Sequence, residues 1–157
     1  KTFATYISSE LKNKEIQNQV RHIDFMPTIL EHLGLEIDKK FESLDGESLC
    51  ALIEGKEFDE KLAYTETGNP LEQSRPPKKP NVKSVRMSNW KLIFNQHNNT
   101  KELYDLIHDP DEKNNLIGKG FDVEKSLWEK LMLIQNESVN AIGKNIETNL
   151  DNLGNKL

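Results

Sequence analysis

The sequence predicts an α+β fold, a small antiparallel sheet of about four strands packed on a long C-terminal helix. Two observations carry that expectation. Apolar residues alternate with polar ones in four short runs, Leu62–Thr67, Val85–Met87, Trp90–Phe94 and Leu103–Leu106, bounded by turn-forming residues. From Phe121 to Ile142 the spacing changes to that of a helix, with Leu127, Trp128, Leu131, Ile134, Gln135, Ser138 and Ile142 on one face and Asp122 in place to cap it.

Taken in order, TFATYIS at 2–8 alternates as a strand does, and the Lys/Glu/Asn-rich stretch after it reads as a surface loop. The run VRHIDFMPTILEHLGL at 20–35 predicts a helix. Asp24 suits its N-cap, Pro27 falls in the first turn, Phe25, Ile29, Leu30 and Leu33 share a face, and Gly34 ends it. Asp45-Gly46 makes a turn, and Glu47–Ile53 is expected as a short helix closed by Gly55. LAYTET at 62–67 is the first strand of the sheet. The segment GNPLEQSRPPKKPNV after it has prolines at 70, 76, 77 and 80 and no period, and a stretch of that length without structure is functional or disordered. Ser88-Asn89 turns the hairpin, a polar loop spans Asn95–Lys101, and HDPDEKNN ends the last strand because Pro110 has no N–H for a ladder. Beyond Gly143 the Asn-rich tail reads as frayed.

Composition narrows the function. With 157 residues there is room for a core, but 35% apolar content and a mean hydropathy of −0.71 keep it modest. A net charge of −5, with lysines scattered among acids, gives no basic stripe for nucleic acid. No run approaches a membrane span, and the N-terminus does not read as a signal peptide. The chain starts at Lys1 and not Met, as a piece of something longer would. The single Cys50 has no partner for an internal disulfide and no Cys or His at metal spacing, so it reads as a small core residue.

Catalytic chemistry is not written in these residues. HExxH, a Gly-rich phosphate loop, a nucleophile elbow and a Cys/His cluster are all absent from the sequence. His22 stands just before a capping Asp and reads as structural, His32 lies on the helix, and His97 and His108 sit in polar loops. The acids at 109, 111 and 112 lack the spacing, central Gly and terminal Glu of an EF-hand and read as a capped turn. The sequons at Asn98 and Asn136 matter only in a glycosylating cell.

HIDFMPTILEHLGL at 22–35, DGESLCALIEG at 45–55, VRMSNWKLI at 85–93 and ELYDLIHDPDEKNNL at 102–116 together resemble the successive landmarks of the C-terminal part of sulfatases, in the alkaline-phosphatase superfamily. The resemblance covers roughly residues 1–140, and ELYDL followed by DPDEKNNL is its most specific part. It implies that 1–60 is the end of an α/β main domain, its closing strand and helices, that 61–142 is the antiparallel-sheet subdomain with its covering helix, and that 143–157 is a tail. It also implies a hydrolase of sulfate esters whose formylglycine and calcium belong to a preceding N-terminal part.

The C/S-x-P-x-R motif that gives rise to formylglycine is not in this chain, so no catalytic, cofactor or metal residue is assigned here. The chain would complete the fold, border the substrate cleft and take the N-terminal catalytic domain as partner. Loops on a rigid sheet carry specificity, so Thr67, Asn69 and Arg75 are the substrate-cleft candidates, beside the plainer reading of 67–75 as a surface excursion. The isolated chain is expected to self-associate through residues 3–7 or leave them mobile. Two other readings stay open: a non-catalytic module derived from a sulfatase or a part of a related phosphate- or phosphonate-ester hydrolase, and an unrelated α+β binding domain.

Overall fold

A computed structural model describes residues 15–35, 45–56, 58–67 and 82–136. The expected strand at 2–8, the end of the long helix at 137–142 and the tail at 143–157 lie outside the described residues. The chain divides into two compact units, Lys1–Asp59 and Glu60–Leu157.

In the first unit a 3₁₀ turn, His22–Asp24, leads into helix α1, Phe25–His32, and Gly34 follows at φ 63°, the left-handed conformation a helix end favours. Asp24 has a different task from the one expected. Its side chain makes no cap bond to α1; it folds back onto the turn before it. Asp24 is 2% exposed and accepts from the Arg21 backbone N–H at 2.8 Å and from the Arg21 guanidinium Nη2 at 2.7 Å. It also accepts from the Glu47 N–H at 3.1 Å, so one carboxylate ties two stretches of chain together. Burial alone would raise the carboxyl's pKa. The Arg21 hydrogen bond and the two backbone N–H groups outweigh it and hold the pKa below the ordinary value.

Thr28 makes the second tie, since its hydroxyl accepts from the Leu49 N–H at 2.9 Å. Those two bonds explain why the second helix starts later than the sequence suggests. It is Cys50–Glu54, here α2, because the amides of Glu47 and Leu49 bond to Asp24 and Thr28. Gly55 closes α2 at φ 81°. Gly46 is required by contact: a Cβ there would lie 1.9 Å from the Ile23 carbonyl oxygen. Cys50 is half-buried and not fully enclosed, with Sγ 3.7 Å from the Thr28 carbonyl oxygen. The face of α1 that packs also differs from expectation. Pro27 and Thr28 are its buried residues, whereas Ile29 and Leu33 are exposed.

The second unit holds a four-stranded antiparallel sheet in the order β1-β2-β3-β4, with β1 Ala63–Thr67, β2 Val82–Met87, β3 Trp90–Asn95 and β4 Thr100–Asp105. Ser88 turns the hairpin at φ 51°. The polar loop is shorter than the sequence suggests, 96–99, because Thr100 pairs with Asn95 and Lys101 with Phe94. Leu106 leaves the ladder, although its N–H donates to the Asn89 carbonyl at 2.7 Å.

Val85, Leu92 and Leu103 stand opposite one another across β2, β3 and β4, and each is fully buried. They pack with Phe94, Leu127 and Leu131, the last two from helix α3, described over 122–136. Asp122 is thus the first helical residue of α3. Trp128 is half-buried, edge-on to Phe94 at 5.0 Å, with Lys101 Nζ 3.4 Å from its ring centroid. Strand β4 would be a bare edge at Leu103, but the Leu103 N–H donates to Asn115 Oδ1 at 3.0 Å and its carbonyl accepts from the Leu116 N–H at 2.8 Å.

Replacing Leu131 by Ala is expected to cost about 3 kcal/mol, and Trp128→Ala a similar amount, through loss of transfer energy and a residual cavity. Urea denaturation checks this, and an unchanged midpoint contradicts the packing. The lowered pKa of Asp24 fixes a sign as well. Stability from this carboxylate is present above the unfolded pKa and is lost as pH falls through the lower folded pKa. The stability gap between wild type and Asp24→Asn should therefore be level above about pH 5 and shrink in acid.

Candidate functional site

Of the three residues expected to border a cleft, Thr67 is placed: it ends β1, is exposed and stands opposite Val82 at the start of β2. Asn69 and Arg75 lie outside the described residues. The pairing fixes where the intervening segment leaves the sheet. Thr67, Val82, Asn95 and Thr100 form the last row across all four strands, so 68–81 and the turn 96–99 emerge from the same end.

That end is polar. Asn95 Oδ1 accepts from the N–H groups of His97 at 3.0 Å and Asn98 at 3.2 Å, and Asn99 adopts φ 52°, so the turn is held by a side chain acting on its own backbone. The next row is Glu66, Lys83, Phe94 and Lys101 on the helix-covered face. Lys83 is 7% exposed, its aliphatic stem buried beside Phe94. Sequence reading passed over both lysines, and only strand register reveals that they flank Phe94.

The opposite end of the sheet carries the acidic turn. Asp109 carboxylate oxygens accept from the N–H groups of Lys113 at 3.1 Å and Asn114 at 2.7 Å, and Glu112 receives Lys91 Nζ at 2.7 Å. HDPDEKNN is therefore a capped turn pinned to β3. The Lys91–Glu112 pair also offsets the unfavourable placing of Lys91 opposite Arg86. Tyr104, opposite Lys91, donates its hydroxyl to Glu102 at 2.8 Å; burial first and then that carboxylate push its pKa up to about 12. Tyr64 is shifted upward for the same two reasons, burial and its hydrogen bond to Glu66.

The histidines are distributed and not clustered. The His22 ring lies 6.0 Å from that of Phe25, and His108 Nδ1 lies 2.6 Å from Asp105 Oδ2, which lowers the pKa of Asp105. Among the described residues no group of three His, Cys, Asp or Glu side chains is placed to hold a metal ion, and no helix is long and apolar enough to cross a membrane.

A four-stranded antiparallel sheet covered on one face by a helix makes the second unit an α+β fold. The chain belongs to the family N-sulphoglucosamine sulphohydrolase, C-terminal, whose model matches residues 4–137. Among solved structures it is similar to BT4656 in complex with its substrate D-glucosamine-2-N,6-O-disulfate, at 26% identity and a TM-score of 0.58. It is also similar in fold to a candidate sulfatase from Bacteroides thetaiotaomicron (22% identity, TM-score 0.54) and to BT1596, a 2-O GAG sulfatase (22%, 0.52). Each match covers 74% of this chain and 24% of the other, so this chain spans about a quarter of the length of these relatives. No curated protein matches it.

Asn95→Ala removes the acceptor for two turn amides and is expected to cost about 1 kcal/mol. Chemical denaturation, with hydrogen exchange at His97 and Asn98, checks it: unchanged exchange at both amides contradicts the proposed turn.

Proposed function

We propose that this chain is the C-terminal portion of a sulfatase-type hydrolase of sulfate esters, in which residues 1–60 complete the α/β main domain and the sheet subdomain, 61–142, borders the substrate cleft. The observation that carries the reading is the family match over residues 4–137. A sulfated glucosamine is the substrate class, by analogy with the molecule named for BT4656. The borders of the cleft are Thr67, Asn69 and Arg75. Thr67 stands at the mouth of the 68–81 segment. Arg75 contributes a guanidinium fork suited to a sulfate group.

Catalysis belongs to residues outside this chain. Formylglycine arises from Cys or Ser in C/S-x-P-x-R, and here Leu52 and Glu54 stand where the Pro and Arg after Cys50 would be. Cys50 is also half-buried against the Thr28 carbonyl at the start of α2. The sequence around Cys50 does not fit a formylglycine site, and among the described residues no acidic group is placed to hold calcium. What this chain supplies is positioning, a rigid sheet that holds the 67–75 segment against the substrate.

The experiment compares the 157-residue chain with the product of the complete reading frame that contains it, by sulfate release from D-glucosamine-2-N,6-O-disulfate. The longer product should carry an upstream C/S-x-P-x-R motif and release sulfate, and the 157-residue chain should release none. In the longer product Arg75→Ala should raise KM about tenfold with kcat little changed, as loss of uniform substrate binding does. Sulfate release by the 157-residue chain, or a start codon directly before Lys1, overturns the reading.

A further inference from the structure

Lys83 carries a charge that no described residue answers. It stands in the row Glu66, Lys83, Phe94 and Lys101, on the face of the sheet that α3 covers. Lys83 is 7% exposed, yet no described residue gives its ammonium a hydrogen bond or an ion pair. The carboxylate directly across the ladder, Glu66, is turned to another partner, accepting from the Tyr64 hydroxyl. Lys101, on the far side of Phe94, lies over the Trp128 ring, 3.4 Å from its centroid, and so adds a second positive charge without answering the first.

A charge drawn this far from water is costly unless an opposite charge meets it. Two cations two strands apart, about 10 Å at the usual strand spacing, favour an anion beside them. Their row is next to the one that ends in Thr67, at the end of the sheet from which 68–81 departs. We propose that Lys83 is a specificity residue for a sulfo group that is not cleaved: its ammonium takes the N-sulfo group of a glucosamine whose 6-O-sulfate is hydrolysed. The proposal rests on the functional reading above and deepens it. Chemistry divides the two groups, because the 6-O-sulfate is an ester and the N-sulfo group a sulfamate, which an ester hydrolase leaves in place as a permanent anion. Lys101 raises the positive potential around that anion, and Glu66, held by Tyr64, leaves Lys83 to it.

A lysine whose stem only covers Phe94 needs no anion, and the two roles act differently on substrates. In the product of the complete reading frame, KM and kcat are measured for D-glucosamine-2-N,6-O-disulfate and for D-glucosamine-6-O-sulfate. Lys83→Met keeps the stem and removes the charge. It should raise KM for the disulfate about tenfold with kcat little changed, and move KM for the monosulfate by less than about twofold. Lys83→Gln, a second neutral variant, should do the same, and Lys83→Arg should restore most of the lost discrimination. Equal shifts on both substrates, a larger shift on the monosulfate, or none on either overturn the proposal and leave Lys83 as cover for Phe94. Where the longer product releases sulfate from neither compound, the functional reading has failed, and equilibrium binding of the disulfate decides the proposal separately. A Kd raised about tenfold by Lys83→Met then supports it, and an unchanged Kd overturns it.

Discussion

Val85, Leu92, Leu103, Leu127 and Leu131 are each at most 1% exposed, and the second unit depends on keeping this layer dry. Burying five aliphatic side chains at about 2 kcal/mol each gives an upper figure of about 10 kcal/mol, comparable with the whole net stability of a typical domain. Strand register follows from the same layer. A slip of one residue in β3 would carry Leu92 and Phe94 to the other face and replace them with Lys91 and Ile93, so a single pairing is selected. That pairing in turn sets Thr67 opposite Val82, which decides the end of the sheet from which the 68–81 segment departs.

Among the described residues of the first unit, polar ties stand beside the buried Leu49 and Leu52. Asp24 and Thr28 reach from the start of α1 to the backbone of Glu47 and Leu49, and the Gly46 backbone passes so close to Ile23 that no side chain fits. A buried carboxylate is costly unless it is paired, and here the guanidinium of Arg21 and two backbone N–H groups pair it. Such an arrangement specifies one geometry for the 45–55 segment, which buries Leu49 and Leu52.

Much of the sheet was legible because alternation reports a half-buried strand directly: Val85, Trp90, Leu92 and Phe94 all carry it. The start of β4 was not. Thr100, Lys101 and Glu102 are polar, and they are strand because the ladder with Asn95, Phe94 and Ile93 holds them. Asp24 was misread for a related reason: an Asp before an apolar helix satisfies the local cap pattern, whereas its partners are Arg21 before it and Glu47 far along the chain. Of the cleft candidates, Thr67 has a place in the sheet because LAYTET alternates, whereas Asn69 and Arg75 belong to a proline-rich stretch with no period to read. The family landmarks stood out because turn and capping residues such as Asp45-Gly46 and Asp109-Pro110 are dictated by local backbone needs.

Native-state hydrogen exchange of the 157-residue chain tests most directly whether one dry layer couples the sheet to α3. The amides of β3 and those of α3 around Leu127 and Leu131 should exchange with a common free energy of opening that falls together in mild denaturant. Free exchange of the α3 amides beside a sheet that stays protected would show that the helix is not part of that core, and would contradict the account.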